Sequence, residues 1–366
     1  MIRLIGVLCV AAMLLGCSRQ HESTSRPFRM GFAPYSNQMT VEVDDYLAAK
    51  LAVEADIINH RFDSGIPWEE ALHDSPFPDA IVSDWALRRA LVSAGQKVYV
   101  SVTPFNATQN GLAPYEGTQS NPFWSAASFS DDKVRKAYVN YCKRIIEYFR
   151  PSYFAMSMEA NVLYRNAPDM WPAYLTLHNY VYDELKRLYP DLAVFTTLSG
   201  AELLDGFVPG NDHVVQRLAA LQVLERSDYY AISFYPVVQK EAMSLSPEDV
   251  FHQLFSLSSK PVIVAETAYM AESATVPLEA GVRHIQANPI EQKLFVDALL
   301  SASERWKVEF IIWSTLRDLE GSVGDLSAGP SIFRRNAGFY DEDGNPRPAL
   351  NTWRDYFRRI LRERQQ

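Results

Sequence analysis

Eight short apolar runs, separated by segments of helical periodicity, constrain the fold of this chain more than any other feature. The runs cover residues 29–35, 55–59, 98–104, 153–158, 192–197, 229–235, 262–265 and 308–313. Near-continuous apolar strands are typical of a parallel sheet, because helices cover both of its faces. The alternation of strand and helix therefore predicts an α/β fold with a parallel sheet.

Several of the intervening segments carry apolar residues three and four positions apart, which is the spacing of one helix face. These predicted helices cover residues 41–53, 131–149, 171–189 and 289–306. Eight strand–helix units in a chain of this length predict a single (β/α)8 TIM barrel over residues 29–366. A doubly wound open sheet is the alternative, but its Gly-rich phosphate-binding pattern is missing from the first turn.

The residues before the predicted barrel have the pattern of an export signal. Arg3 supplies a positive charge, and residues 4–15 form an apolar stretch too short to span a bilayer as a stable helix. Leu-Leu-Gly directly before Cys17 resembles a bacterial lipobox, in which the Cys becomes the lipidated first residue, palmitate being one such acyl group. We expect a lipoprotein signal peptide at 1–16 and a lipidated Cys with a polar tether at 17–28.

This pattern predicts a lipid anchor in a membrane of the bacterial cell envelope. The Ser that follows the lipobox Cys is compatible with sorting to the outer membrane in an organism that has one. An ordinary signal peptide with a chance Cys is the alternative.

Composition and missing motifs exclude several classes of partner and cofactor. The net charge of −9 and the lack of a basic stripe argue against a nucleic-acid partner. Cys17 and Cys142 alone remain after cleavage, so cysteine supplies neither a metal cluster nor a redox pair. The sequence has no zinc-binding helix, phosphate loop or serine nucleophile elbow. Residues 341–343 lack the spacing of a calcium loop, so we expect no metal and no cofactor.

Two glutamates stand where apolar runs end: Glu159 after the fourth run and Glu266 after the seventh. A buried carboxylate is costly unless it has a partner or a chemical task. Barrel active sites are built at the carboxyl ends of strands, so these two side chains are expected to meet at the barrel mouth. A retaining glycoside hydrolase needs such a pair, with carboxyls about 5–5.5 Å apart.

Two segments carry a resemblance to a known family. Residues 260–269, Lys-Pro-Val-Ile-Val-Ala-Glu-Thr-Ala-Tyr, resemble the nucleophile segment of the clan A glycoside hydrolases, particularly the endo-β-1,4-galactanases of family 53. Residues 227–236, Ser-Asp-Tyr-Tyr-Ala-Ile-Ser-Phe-Tyr-Pro, resemble the sixth-strand segment of that family. The resemblance implies Glu266 as nucleophile and Glu159 as acid/base of an enzyme that hydrolyses a β-linked polysaccharide or oligosaccharide.

One position departs from the clan pattern. Clan members usually place Asn directly before the acid/base, where this chain has Met158. Asn161 follows Glu159 by two residues and would share its face in an extended chain, so it is the candidate substitute for sugar binding. Because of Met158, a non-catalytic carbohydrate-binding or envelope-assembly lipoprotein with a glycosidase-like barrel is the alternative function.

Further residues are candidate substrate contacts, with a purely structural role as the alternative for each. Tyr235 ends the sixth run and is expected to donate to the nucleophile. Trp313 ends the eighth run and resembles the aromatic platform under the sugar at subsite −1. Arg61 is expected to pair with the nucleophile, while His60 beside it and Tyr35 on the first loop are expected to contact the sugar.

Overall fold

The computed structural model describes residues 24–34, 41–115, 121–236, 246–278, 281–318 and 336–362. The strands are β1 (Ser25–Arg26), β2 (Arg29–Phe32), β3 (Ile57–Phe62), β4 (Lys97–Val102), β5 (Tyr153–Ala155), β6 (Ala193–Phe195), β7 (Thr197–Ser199), β8 (Tyr230–Phe234), β9 (Val262–Thr267), β10 (Ala274–Leu278), β11 (Gly281–Ile285), β12 (Phe310–Trp313) and β13 (Ile360–Leu361).

The α-helices are α1 (Val41–Glu54), α2 (Trp68–His73), α3 (Asp79–Ala90), α4 (Phe123–Ala126), α5 (Asp132–Phe149), α6 (Asn161–Asn166), α7 (Trp171–Leu188), α8 (His213–Leu224), α9 (Pro247–Phe255), α10 (Pro289–Trp306) and α11 (Pro348–Phe357). Short 3₁₀ turns lie at Pro168–Met170 and Ala201–Leu203. Within the described ranges, none of these helices is both long and apolar enough to cross a membrane.

Nine parallel strands form one sheet in the order β6-β5-β4-β3-β2-β12-β9-β8-β7. The two end strands, β6 and β7, are halves of one stretch that only Thr196 separates. Because β6 pairs with β5 and β7 pairs with β8, the sheet returns to its starting stretch and closes. The predicted (β/α)8 barrel is confirmed, and the open sheet is wrong.

Each predicted run overlaps a barrel strand, and the four predicted helices correspond to α1, α5, α7 and α10. The second strand is displaced, because it extends over Ile57–Phe62 rather than 55–59. His60 and Arg61 were predicted to follow this strand, but they lie within it and therefore face opposite sides of the sheet. The loop after β9 also contains an antiparallel hairpin, β10–β11, that the sequence did not predict.

Two apolar layers follow from the alternation of side chains along each strand. In β9, Ile263 and Ala265 belong to a small cluster that fills the barrel interior. Val262 and Val264 belong to the large cluster between the strands and the surrounding helices. Both faces of the sheet are therefore buried, as the near-continuous apolar runs predict.

The end of the barrel where the strands begin is closed by a polar cluster. Tyr153 donates its hydroxyl to Oε1 of Glu309 at 2.6 Å, and Arg29 donates to the Tyr153 hydroxyl at 3.2 Å. Arg29 opens β2, Tyr153 opens β5 and Glu309 directly precedes β12. These groups bind one another at the amino ends of the strands, opposite the mouth at which barrel active sites are built.

The C-terminal segment packs on the start of the barrel. Helix α11 places the Trp353 indole nitrogen 2.9 Å from the carbonyl oxygen of Glu54, and Arg354 forms an ion pair with the Glu54 carboxylate. The preceding turn has Gly344 at φ +84°, a left-handed conformation that glycine adopts without steric cost. The turn around Gly344 therefore leads into the helix that packs on Glu54.

Gly31 on β2 lies where the neighbouring strand passes too close for a side chain. A Cβ at Gly31 would lie 1.9 Å from the carbonyl oxygen of Ile57, which is its partner in the ladder. We expect Gly31→Ala to lower the free energy of unfolding by about 3 kcal/mol, because backbone rather than a flexible side chain must move. Urea unfolding followed by circular dichroism measures this change.

Gly111→Ala is the matched control. A Cβ there would lie 3.3 Å from Nδ2 of the Asn106 side chain, which is flexible and can move. Equal urea midpoints for the Gly31 variant and the parent would contradict the close approach of β2 and β3.

Candidate active site

Glu159 lies just beyond the end of β5, the fourth strand of the barrel. Its segment is hydrogen-bonded to β6 and β7, which together form the fifth barrel position. The Glu159 amide donates to Oγ1 of Thr197 at 2.9 Å, and the Ala160 amide donates to the Thr197 carbonyl at 3.0 Å. The Met156 amide donates to the Phe195 carbonyl at 2.8 Å. These bonds fix the backbone of Glu159 at the carboxyl end of the strands.

The backbone of Glu159 is itself unusual. Its φ is +48°, in the left-handed region that residues with a Cβ seldom adopt. Such a conformation costs about 1 kcal/mol or more and persists where the surrounding structure holds it, often at a functional site. The turn separates β5 from α6 and leaves the partly buried Glu159 side chain at the barrel mouth.

Glu266 is turned into the barrel by a β-bulge. Ile232 of β8 pairs with Val264, whereas the next residue, Ser233, pairs with Glu266, so β9 carries one extra residue. Strict alternation after the inward-facing Ala265 would turn Glu266 outward. The bulge re-aims the side chain, a common role of bulges beside active sites.

Arg61 joins β3 to β9 through Glu266. Its Nη1 donates to Oε2 of Glu266 in a short ion pair, and its Nε donates to Oδ2 of Asp63 at 2.8 Å. The side chains of Arg61 and Glu266 are 14% and 9% exposed, so the pair is largely removed from water. This is the contact that the sequence predicts, while a role of Arg61 in binding substrate stays a prediction.

The charges around Glu159 show which groups meet at the mouth. Burial raises the pKa of Glu159 to about 7; the positive charge of Arg61 opposes the rise and the negative charge of Glu266 adds to it. Glu202 raises this pKa further, and Arg165 lowers it. Charged residues on β3 and β9, and on the segments that follow β5 and β7, therefore act on the carboxyl group of Glu159.

The floor of the mouth is polar and buried. Tyr99 on β4 has a pKa raised well above its usual value by burial and then by the charge of Glu266, while Arg61 opposes the rise. Ser101, two residues along the same strand, donates to Oδ1 of Asn59 at 3.2 Å. Tyr99 therefore lies close enough to the ion pair for both of its charges to act on the phenol.

Asn161 does not share the face of Glu159, and the assumption of an extended chain is wrong. Helix α6 begins at Asn161, whose side chain is fully buried. Its Oδ1 accepts from the Ser199 amide at 2.8 Å, and its Nδ2 donates to the Ser199 carbonyl at 3.2 Å. Both ends of the amide are therefore used to hold α6 against β7.

His60 lies on the outer face of β3, and the expected sugar contact is wrong. The ring is fully buried and packs 4.9 Å from the ring of Phe149 on α5. Neither ring nitrogen has a hydrogen-bond partner in the described structure. The cause is the longer strand, in which Arg61 faces the barrel and its neighbour must face the helices.

Trp313 is a core residue, and the expected sugar platform is wrong. Its side chain is fully buried, its ring stacks on Phe339 at 4.8 Å, and its indole nitrogen donates to the Ala337 carbonyl at 2.9 Å. Phe310 and Ile312 of the same strand fill the barrel interior, so Trp313 faces outward.

The remaining candidates lie beside the site or outside the described residues. Tyr235 directly follows β8 and is partly buried against the core, and its predicted bond to Glu266 stays a prediction. Tyr35 and Cys17 fall in segments that the structure does not describe. Trp68 and Trp124 stack on each other at 5.5 Å beneath the third loop, where they border a pocket of about 530 Å³.

Sequence reasoning missed Asp63, Arg165, Glu202 and Tyr99 as members of this charged cluster. Glu202 carried a usable signal, because it is an acidic residue within the apolar stretch Ala-Glu-Leu-Leu after the fifth run. Arg165 and Tyr99 carried none, since they lie on a helix and in a strand interior like many other residues.

No protein-family model and no curated protein sequence matches this chain. Its fold is similar to GH5_18 from Streptomyces cattleya in complex with GlcNAc, at 15% identity over 92% of this chain and 82% of that chain, with a TM-score of 0.63. It is also similar to the GH53 catalytic domain of Ignisphaera aggregans, at 14% identity over 89% of this chain and 91% of that chain, with a TM-score of 0.56.

The exo-beta-1,4-mannosidase of Opitutaceae bacterium strain TAV5 is a further structural neighbour, at 12% identity and a TM-score of 0.61. The match covers 90% of this chain but 59% of the mannosidase, so the chain spans about three fifths of that enzyme. At such identities the likeness shows the barrel fold alone. The neighbours are named glycosidases, and they include the family that the sixth- and seventh-strand motifs resemble.

The buried His60 generates a prediction about acid stability. Burial, aided by the charge of Arg88, lowers the pKa of His60 to about 3, against about 6.5 in an unfolded chain. Between these values the unfolded chain binds a proton that the folded chain does not, so stability falls as the pH falls through this window. We expect His60→Phe to reduce this loss by up to about 1.4 kcal/mol per pH unit.

Urea unfolding of the variant and the parent between about pH 7 and about pH 5 measures the two slopes. Phe keeps the aromatic contact with Phe149, so the variant is expected to fold. Parallel slopes for the two proteins would show that His60 is not held neutral by burial.

Proposed function

We propose that this chain is a retaining glycoside hydrolase that acts on a β-linked polysaccharide or oligosaccharide. One observation carries the proposal: Glu159 and Glu266 act on each other at the mouth of a closed barrel while their surroundings differ. Glu266 binds a guanidinium, and burial raises the pKa of Glu159 to about 7. A carboxyl group with a raised pKa is suited to donate a proton, and a carboxylate bound by a guanidinium is suited to attack, so the two glutamates can take different roles in one reaction.

In the first step, a carboxylate oxygen of Glu266 attacks the anomeric carbon of the sugar. The bond to the leaving oxygen breaks, and Glu159 gives its proton to that oxygen. The products of this step are a glycosyl ester on Glu266, the ionised Glu159 and the leaving saccharide, whose former glycosidic oxygen is now a hydroxyl group.

In the second step, Glu159 takes a proton from water while the water oxygen attacks the anomeric carbon, and Glu266 leaves as a carboxylate. Two displacements restore the original anomeric configuration. Arg61 loses its charged partner while the ester exists, but it keeps the Asp63 carboxylate at 2.8 Å. The guanidinium is therefore never left buried without a negative charge.

Substitution of each glutamate tests the assignment. Glu266→Gln should lower kcat by about a thousandfold or more on every substrate, because the nucleophile is lost. Glu159→Gln should act selectively: natural glycans are cleaved poorly, whereas aryl glycosides with acidic leaving groups still form the glycosyl enzyme without acid assistance. Hydrolysis of β-1,4-linked mannan, galactan and xylan fragments, with anomers followed by NMR, provides the measurement.

Glu225→Gln is the matched control, since Glu225 is an exposed carboxylate at the end of α8. Equal cleavage by the parent and both glutamate variants would contradict the assignment. Met158 stands where clan A enzymes usually have Asn, and this difference motivates the non-catalytic alternative. Glycan binding by the parent without cleavage of any substrate would support that alternative.

The pKa of Glu159 near 7 predicts the alkaline side of the pH profile. Glu159 must carry a proton in the first step, so kcat/KM should fall about tenfold per pH unit once the pH exceeds that pKa. Initial rates on a glycan substrate from about pH 5 to about pH 9 measure the profile. A rate that stays constant up to about pH 9 would be incompatible with Glu159 as the acid.

We further propose that the protein is anchored to a membrane of the bacterial cell envelope by lipid on Cys17, with the outer membrane favoured where one exists. Support comes from the lipobox-like sequence alone, because Cys17 lies outside the described residues. In this location the enzyme would meet glycans of the envelope or the surroundings.

A further inference from the structure

A second ion pair lies beside Glu159 and has no part in the reaction proposed above. Nη1 of Arg165 lies 2.8 Å from Oε1 of Glu202. The Glu202 side chain is 3% exposed, and its other carboxylate oxygen, Oε2, is buried without a hydrogen-bond partner in the described structure. An ion pair between a buried carboxylate and a partly exposed guanidinium contributes little to stability, so stability alone does not explain why a carboxylate is buried here.

The pair connects the two segments that hold Glu159. Arg165 lies on α6, which begins directly after Ala160 and two residues after the left-handed Glu159. Glu202 lies in the 3₁₀ turn after β7. Asn161 binds the backbone nitrogen and oxygen of Ser199 on β7. Together with the Arg165–Glu202 pair, these bonds attach α6 at two points to β7 and the turn that follows it.

The turn that carries Glu202 is itself anchored. Nδ2 of Asn211 donates to the Glu202 carbonyl at 2.8 Å, and Nε of Arg217 donates to the Leu203 carbonyl at 2.8 Å. The Glu202 carboxylate is therefore presented from a fixed backbone rather than from a free loop.

We propose that Glu202 and Arg165 are positioning residues for Glu159: their ion pair holds α6, which begins two residues after Glu159, against the turn that follows β7, and it places one charge of each sign near Glu159. This inference rests on the proposed function for its catalytic consequence. Neither residue touches the reacting atoms, since both act through Glu159.

The electrostatics of the site agree with this role. Burial, rather than a charge, is the largest influence on the pKa of Glu159; Arg61 then lowers it, Glu266 and Glu202 raise it, and Arg165 lowers it. Burial also raises the pKa of Glu202, and the charge of Arg165 opposes that rise. Once Glu266 is esterified its charge is gone, and Glu202 is then the carboxylate that keeps Glu159 basic enough to accept a proton from water.

Glu202→Gln and Arg165→Gln test the proposal because the two changes should have opposite effects. Loss of the Glu202 charge should lower the pKa of Glu159 by roughly half a unit, the size expected of one charge in a partly buried site. Loss of the Arg165 charge should raise it. Asp205→Asn is the matched control on the same loop, because its side chain is 87% exposed and should leave Glu159 unchanged.

NMR titration of protein labelled with ¹³C at the Glu carboxyls measures the pKa of Glu159, and Glu159→Gln assigns its signal. Because this measurement needs no substrate, it tests the positioning role even if the protein cleaves no glycan. Failure to cleave any glycan would contradict the proposed function and would leave the titration unchanged. Shifts in opposite directions support the proposal, with the alkaline limb of kcat moving in parallel and KM unchanged. Unchanged pKa values, or shifts of the same sign in both variants, overturn it.

A thermal melt of each variant checks that it is folded. Gln has the size of Glu, and Arg165 is 39% exposed, so at least the Arg165 variant is expected to fold. If only that variant is folded, a pKa of Glu159 that fails to rise overturns the proposal by itself.

Discussion

The parallel sheet closes at its fifth position, which β6 and β7 form together, and the candidate site depends on this closure. The stretch from β6 to β7 pairs with β5 on one side and with β8 on the other, and Thr196 separates its two halves. The same stretch receives the backbone bonds of Glu159 and Ala160. Closure therefore brings the ends of β5 and β9, the fourth and seventh barrel strands, to one mouth. It also fixes the backbone of Glu159, which follows β5.

Within that closed frame, the side of the sheet that each residue faces decides its role. Arg61 and Trp313 both stand near strand ends, yet Arg61 binds Glu266 inside the barrel and Trp313 packs among helices outside it. A single inserted residue in β9 reverses the direction of Glu266. Small changes of register thus separate an active-site residue from a core residue, because successive side chains point to opposite faces.

The site also separates two chemically identical groups. Glu266 binds Arg61 directly, whereas Glu159 is partly buried with the negative charges of Glu266 and Glu202 nearby. Burial and like charge both favour a neutral acid, and a guanidinium favours an ionised carboxylate. One barrel mouth therefore gives two glutamates different surroundings, which is the asymmetry that the proposed double displacement requires.

The sequence by itself determined the barrel, its strand order and the two glutamates, because strand and helix periodicities are local and barrel active sites lie at strand ends. Strand limits and bulges were not readable: β3 runs on to Phe62 because it pairs with β4, and that pairing turned His60 outward. The tertiary structure alone decided that Asn161 binds Ser199, that Trp313 is buried and that Glu202 joins the site. Each of these outcomes depends on contacts between residues far apart in the chain, which no local pattern records.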